Sequence, residues 1–119
     1  MNYKCLITKS PLDNRDVDAD NVYKKLTLPD VLDFRKDLNK VRDQGFQGTC
    51  AAQTAAVMKE YQEKNDIGFE GYYSPQFIYN LRFNQESEGM YPRDLVKILH
   101  KIGIIEEEKY PYNKIEGSD

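Results

Sequence analysis

The thiol of Cys50 sits where a glycine-punctuated loop, Asp43-Gln44-Gly45-Phe46-Gln47-Gly48-Thr49, runs into the alanine-rich segment Ala51-Ala52-Gln53-Thr54-Ala55-Ala56-Val57-Met58. The start of a helix carries unpaired backbone N–H groups and the positive end of its dipole. A cysteine placed there has its thiolate favoured, and the thiolate is the nucleophile. Gln44, six residues earlier, offers a side-chain amide that could donate a hydrogen bond to a developing oxyanion. The same amide could instead cap its own loop. Gly45 and Gly48 suit a tight turn, or a surface along which another backbone must pass closely. Together these residues are half of a cysteine nucleophile site.

The elements around the stretch follow from pattern and punctuation. From Thr49 or Cys50 to about Lys64 the sequence predicts a helix. Its first half is small and apolar almost all round, so it is expected to be buried on most sides. Its second half, with Lys59, Glu60, Glu63 and Lys64, is expected to emerge into solvent, and Asn65, Asp66 and Gly68 end it. Ser74-Pro75 starts a second helix, with serine as N-cap and proline first in the helix, reaching about Asn84 with Phe77, Ile78 and Leu81 buried. A third helix begins after Gly89-Met90-Tyr91-Pro92. Leu95, Val96, Ile98, Leu99 and Ile102 form its apolar side, and Gly103 closes it. Ahead of the loop, Leu28 to Arg35 reads as a short extended edge. Residues 1–27, turn-rich around Ser10-Pro11-Leu12-Asp13-Asn14, form an arm, either a surface strap or a propeptide-like, domain-clasping segment. Glu106-Glu107-Glu108-Lys109 reads as solvated, with Tyr110-Pro111-Tyr112 packing back as an aromatic clip.

Bulk composition narrows the function classes. A chain of 119 residues holds one domain with a modest core. Lysine and arginine number 17 against 20 acidic residues, a net charge of −3, so the electrostatics give no reason to expect nucleic acid as a partner. No apolar window is long enough to span a membrane, so no membrane partner is expected. Two cysteines, Cys5 and Cys50, make no disulfide framework, and neither has metal-ligand spacing. One histidine cannot complete a zinc site, and no metal or other cofactor is expected. Met1-Asn2-Tyr3-Lys4 lacks the apolar run of a signal peptide, so the expected location is the cytoplasm or another reducing compartment. Cys5 is expected to be an inert thiol on the arm.

Several separated motifs then agree. Leu28-Pro29 with Asp33-Phe34-Arg35, and Val41-Arg42-Asp43-Gln44-Gly45 with Gly48-Thr49-Cys50-Ala51, resemble the mature start of papain-family cysteine peptidases. Tyr91-Pro92 with Leu95, and Gly103-Ile104-Ile105 through Tyr110-Pro111-Tyr112, resemble the same family in the same order. The lack of paired cysteines and the run Ser74-Pro75-Gln76-Phe77 resemble its disulfide-poor bacterial and viral branch. The resemblance covers about residues 28–112. It implies a mainly α fold within an α+β papain-like architecture. Residues 28–119 would be the left-hand domain, whose long central helix carries the nucleophile, and the β-rich right-hand domain would be missing from this chain.

The resemblance also implies roles. Cys50 would be the nucleophile, and Gln44 with the Cys50 N–H would form the oxyanion hole. Gly48 would line one wall for the substrate main chain, Gly89 and Met90 the other, and Tyr91 and Pro92 would join a side-chain pocket. The substrate would be a peptide or protein. Relatives usually carry a cysteine at the position of Gln47 and another near Ser87, an aromatic residue where Ala51 stands, and glycine where Met90 stands. They also need a histidine base and an asparagine or aspartate. His100, on the polar side of the third helix with Arg93, Lys97 and Lys101, does not match that histidine. The expected partner is therefore a right-hand domain or second chain carrying the His and Asn, and this chain alone is expected to be inactive. The other readings are an incomplete papain-like domain acting as a binding or regulatory module, and an acyltransferase-like or transglutaminase-like cysteine enzyme.

Overall fold

The computed structural model describes residues 6–113; Cys5 lies outside them. Four α-helices follow one another: α1 (Ala19–Val22), α2 (Cys50–Ile67), α3 (Pro75–Asn80) and α4 (Pro92–Lys101), with 3-10 turns at Arg35–Asp37 and Glu107–Lys109. Among the described residues there are no strands, only two isolated bridges between extended residues. Ile7 pairs parallel with Met90, and Tyr73 pairs antiparallel with Glu106.

α2 is the axis of the fold and packs against both α3 and α4. Its Ala51, Ala52, Ala55 and Ala56 are all buried, since small side chains let neighbouring elements approach closely. The helix runs to Ile67, one turn beyond Lys64, and stops at Gly68. Gly68 has φ of 71°, and its N–H closes on the Glu63 and Lys64 carbonyls. Ser74 caps α3 by accepting from the Phe77 N–H at 3.1 Å. Gly103, with φ of 95°, ends α4 by donating to the Ile98 carbonyl. The core is Ala51, Ala52, Ile78, Tyr79, Met90 and Ile98, with Phe77, Leu95, Leu99 and Ile104 packed around it.

Four expectations need correction. The charged half of α2 does not simply emerge into solvent. Glu60 is 4% exposed, because Arg42 pairs with it at 3.0 Å and Asn39 donates to it at 2.9 Å. α3 ends at Asn80, not Asn84. The Gln85 side chain donates to the Asn80 and Arg82 carbonyls and the Arg82 guanidinium to the Tyr79 and Ser87 carbonyls, satisfying the chain without another turn. Leu81 is consequently exposed, as are Val96 on α4 and Ile102, the residue that caps its C-terminus. The edge at Leu28–Arg35 pairs with no strand among the described residues, and Val31 and Leu32 face solvent. Finally, Glu107 is not merely solvated: it accepts from the Tyr112 N–H at 2.7 Å and pairs with Arg42.

The described part of the arm, residues 6–27, is extended apart from a turn at Asn14–Arg15, where the Asp16 N–H donates to the Asp13 carbonyl at 3.0 Å, and the single turn α1, which Asp18 caps through the Asp20 N–H. Its Leu12, Val17, Tyr23 and Leu26 are exposed. Among the described residues no helix is long and apolar enough to cross a membrane.

Candidate active site

Cys50 is the first residue of α2, a partly exposed free thiol. The loop before it is held from several sides. The Asp43 carboxylate accepts from the Gly45 N–H at 2.7 Å, a short side-chain turn that Gly45 completes with φ of 64°. Thr49, the N-cap residue, makes no capping bond with its side chain. Its buried hydroxyl instead lies 2.5 Å from the Tyr112 hydroxyl. Tyr112 in turn donates to the Gln44 carbonyl at 2.6 Å. With that donor fixed, the proton between the two hydroxyls belongs to Thr49, giving a directed chain from Thr49 through Tyr112 to Gln44. The C-terminal aromatic clip therefore pins both ends of the nucleophile loop.

Gln44, placed by this chain, turns its side-chain amide onto the Gln47 carbonyl at 2.9 Å. In this conformation the amide caps the loop. Gln47 reaches the other way, exchanging hydrogen bonds with Gln76 at 3.0 Å and donating to Asn113 at 3.0 Å. Gln76 is fully buried, so the Gln47 position, where the resembling family usually carries sulfur, is tied down by amides.

Gly48, Gly89 and Met90 come together. A Cβ added at Gly48 would lie 2.9 Å from the Glu88 carbonyl oxygen and 3.0 Å from the Leu6 side chain. At Gly89 it would lie 2.5 Å from both the Leu6 carbonyl oxygen and Thr8 Oγ1. Both positions need glycine: the arm passes directly over Gly89, and at Gly48 the Glu88 main chain and the Leu6 side chain close in together. The Met90 N–H donates to the Leu6 carbonyl at 3.2 Å, and the Thr8 N–H donates to the Met90 carbonyl at 3.1 Å. The Met90 side chain is fully buried in the core, so its bulk leaves the backbone free to pair with an extended segment. Ser87 to Gly89 is braced from beneath: Arg82 donates to the Ser87 carbonyl, Tyr79 to that of Glu88, and Asn84 to that of Gly89.

Tyr91 and Pro92 stand one step further along, as N-cap and first residue of α4. Tyr91 stacks with Phe83 at 5.9 Å between ring centres. With Pro11, Leu12, Arg93 and Lys97 these rings line a cavity of about 400 Å³. His100 is exposed in the last turn of α4.

Sequence reasoning missed four supports of the site, Arg42, Glu60, Arg82 and Arg93, and of Tyr112 it expected the packing but not the two hydroxyl bonds. One signal was available. Glu60 falls on the line Ala52, Ala56, Glu60 at helical spacing, so it continues a buried face.

A solved structure from work on the limited antibody cross-reactivity between the mite allergens Blo t 1 and Der p 1 superposes with a TM-score of 0.61 at 26% identity. The fold is papain-like. The match covers 92% of this chain and 36% of that one, so the chain spans about a third of its neighbour's length. The mainly helical described residues are consistent with the left-hand part of a papain-like fold. No protein-family model and no curated protein matches the chain.

Proposed function

We propose that this chain supplies the nucleophile half of a papain-like cysteine peptidase. The observation that carries the reading is a thiol at the head of a buried helix, two residues beyond a glycine wall whose facing backbone, at Met90, accepts an extended segment. Cys50 sulfur attacks the peptide carbonyl, and the C–N bond breaks as the leaving amine takes a proton from a histidine. Water then cleaves the thioacyl-enzyme and restores the thiol. The histidine and its asparagine come from a β-rich right-hand domain or a second chain. Gln44 reaches the oxyanion role by releasing the Gln47 carbonyl and turning toward Cys50. Gly48, Gly89 and Met90 are the walls for the substrate main chain, and Tyr91 and Pro92 border a side-chain pocket. Substrates are peptides or proteins, no nucleic acid, membrane, metal or cofactor takes part, and a reducing compartment keeps Cys50 a thiol.

Residues 1–27 act as a propeptide-like strap in this reading, supported by Leu6 and Thr8 occupying the Met90 backbone that a substrate would use. The same occupancy, with the Gln44 amide turned onto its own loop, favours a second reading: a catalytically incomplete module that binds or regulates a partner. The two separate with an epoxide or vinyl-sulfone peptide probe applied to the protein joined to its right-hand domain. The peptidase reading expects labelling at Cys50 that Cys50→Ala abolishes. Absence of labelling there, or labelling that survives the substitution, overturns it.

A further inference from the structure

Besides the main-chain pairing at Met90, the arm is fastened by Arg93. The Arg93 main-chain N–H donates to Ser10 Oγ at 3.1 Å, and its guanidinium donates both to the Pro11 carbonyl and to the Asp16 carboxylate. Tyr91, the N-cap residue of α4, makes no side-chain cap. Ser10 supplies from the arm the acceptor that this helix start lacks. The contacts also share a register. Ile7 bridges Met90 and Ser10 meets Arg93, so two pairs three residues apart hold the arm parallel to the chain that enters α4.

Little else among the described residues holds the arm. Beyond Ser10 its apolar side chains point outward: Leu12 is 95% exposed, Val17 70% and Leu26 76%. Asp13 spends its carboxylate on Arg15 within the arm itself. The fit over Gly48 and Gly89 therefore depends on the Met90 pairing and on Arg93. Arg93 is the stronger of the two, since its guanidinium makes charge-assisted bonds and its side chain is only 27% exposed.

Resting on the strap reading above, we infer that Arg93 is the latch of an intramolecular strap. It holds residues 6–16 in register across the Gly48–Met90 wall, and loss of its guanidinium contacts opens that wall to an incoming extended peptide. Arg93 is a positioning residue here, acting through the arm. The Asp16 end of the latch is exposed, so salt weakens it.

Amide hydrogen exchange on the full chain tests this without any catalysis. In Arg93→Ala, exchange at Thr8 and Met90 is expected to quicken by about tenfold or more, the scale of one lost charge-assisted hydrogen bond. Asp16→Asn, which leaves α4 untouched, quickens the same two amides, and Arg93→Lys, which keeps the charge, restores part of the protection. Added salt quickens them in the parent and has little further effect in Arg93→Ala. Unchanged exchange in the buried turns of α2 reports that the fold is intact. Met90 exchange within about twofold of the parent in both Arg93→Ala and Asp16→Asn overturns the latch. Probe labelling of Cys50 bears separately on the peptidase reading, so either result can fail alone.

Discussion

Tyr112 donates its hydroxyl to the main-chain carbonyl of Gln44 at 2.6 Å, joining residues 68 positions apart. The same hydroxyl oxygen meets Thr49 Oγ1 at 2.5 Å, so one phenol braces the loop on both sides of Gly48. Tyr112→Phe is expected to cost about 1–2 kcal/mol in urea unfolding, because two hydrogen bonds go and the buried Thr49 hydroxyl loses that partner. Thr49→Val removes the other end of the same chain. The double variant is expected to cost less than the sum of the two by about 0.5 kcal/mol or more. Additive losses would mean that the two hydroxyls stabilise the loop independently.

How far the sequence carries the fold depends on the range of the interactions involved. The helix starts were legible because their causes are local: Ser74-Pro75 writes both a cap and a first-turn residue into one dipeptide. The helix ends at Gly68 and Gly103 were legible for the same reason, each glycine taking a positive φ. The end of α3 was not, because it depends on where Arg82 and Gln85 send their side chains. In the site, Cys50 at a helix start could be read directly. The orientation of the Gln44 amide could not, since several carbonyls compete for it. Least legible was the arm over Met90. Backbone pairing between Leu6, Thr8 and Met90 leaves no side-chain pattern to read, and the partners are more than 80 residues apart.

Glu60 makes a pH-dependent test of the support beneath the site. Burial pushes its carboxyl above the ordinary value, while the Asn39 hydrogen bond and the Arg42 charge pull it back. A carboxyl raised by folding binds more protons in the native state than in the unfolded chain. Its contribution therefore favours the fold below its ordinary value and is lost as pH rises through the folded one. Glu60→Gln is expected to remove that slope, and it lowers the unfolding free energy near pH 7, because its amide nitrogen cannot accept from the Asn39, Arg42 and Tyr73 donors that the two carboxylate oxygens serve. Glu60→Ala leaves Arg42 with Glu107 at 3.5 Å and takes from Asn39 its carboxylate partner, at a cost of about 3 kcal/mol. Urea titrations at about pH 4 and about pH 7 check both, and an unchanged slope in Glu60→Gln would remove Glu60 as its source.

Gly89→Ala tests whether the arm is seated where the glycines require it. The added methyl would lie 2.5 Å from the Leu6 carbonyl oxygen, a main-chain atom that can retreat only if the arm moves, and 2.5 Å from Thr8 Oγ1. Gly89 does not have a positive φ, so the substitution strains no backbone and its effect falls on the contact. Faster exchange at Thr8 and Met90 and faster proteolysis between residues 6 and 34 are the expected outcomes. Gly45→Ala is the control: φ of 64° costs about 1 kcal/mol, but its methyl would meet open space and the arm should stay. Met90 exchange that Gly89→Ala leaves at the parent rate would mean that Leu6 does not lie over the wall. Under the proposed function this variant differs in kind from Arg93→Ala. Both release the strap, but the alanine at 89 also narrows the wall itself. An extended peptide should therefore bind better to Arg93→Ala than to the parent, and no better to Gly89→Ala, because only the first frees the Met90 backbone without obstructing it.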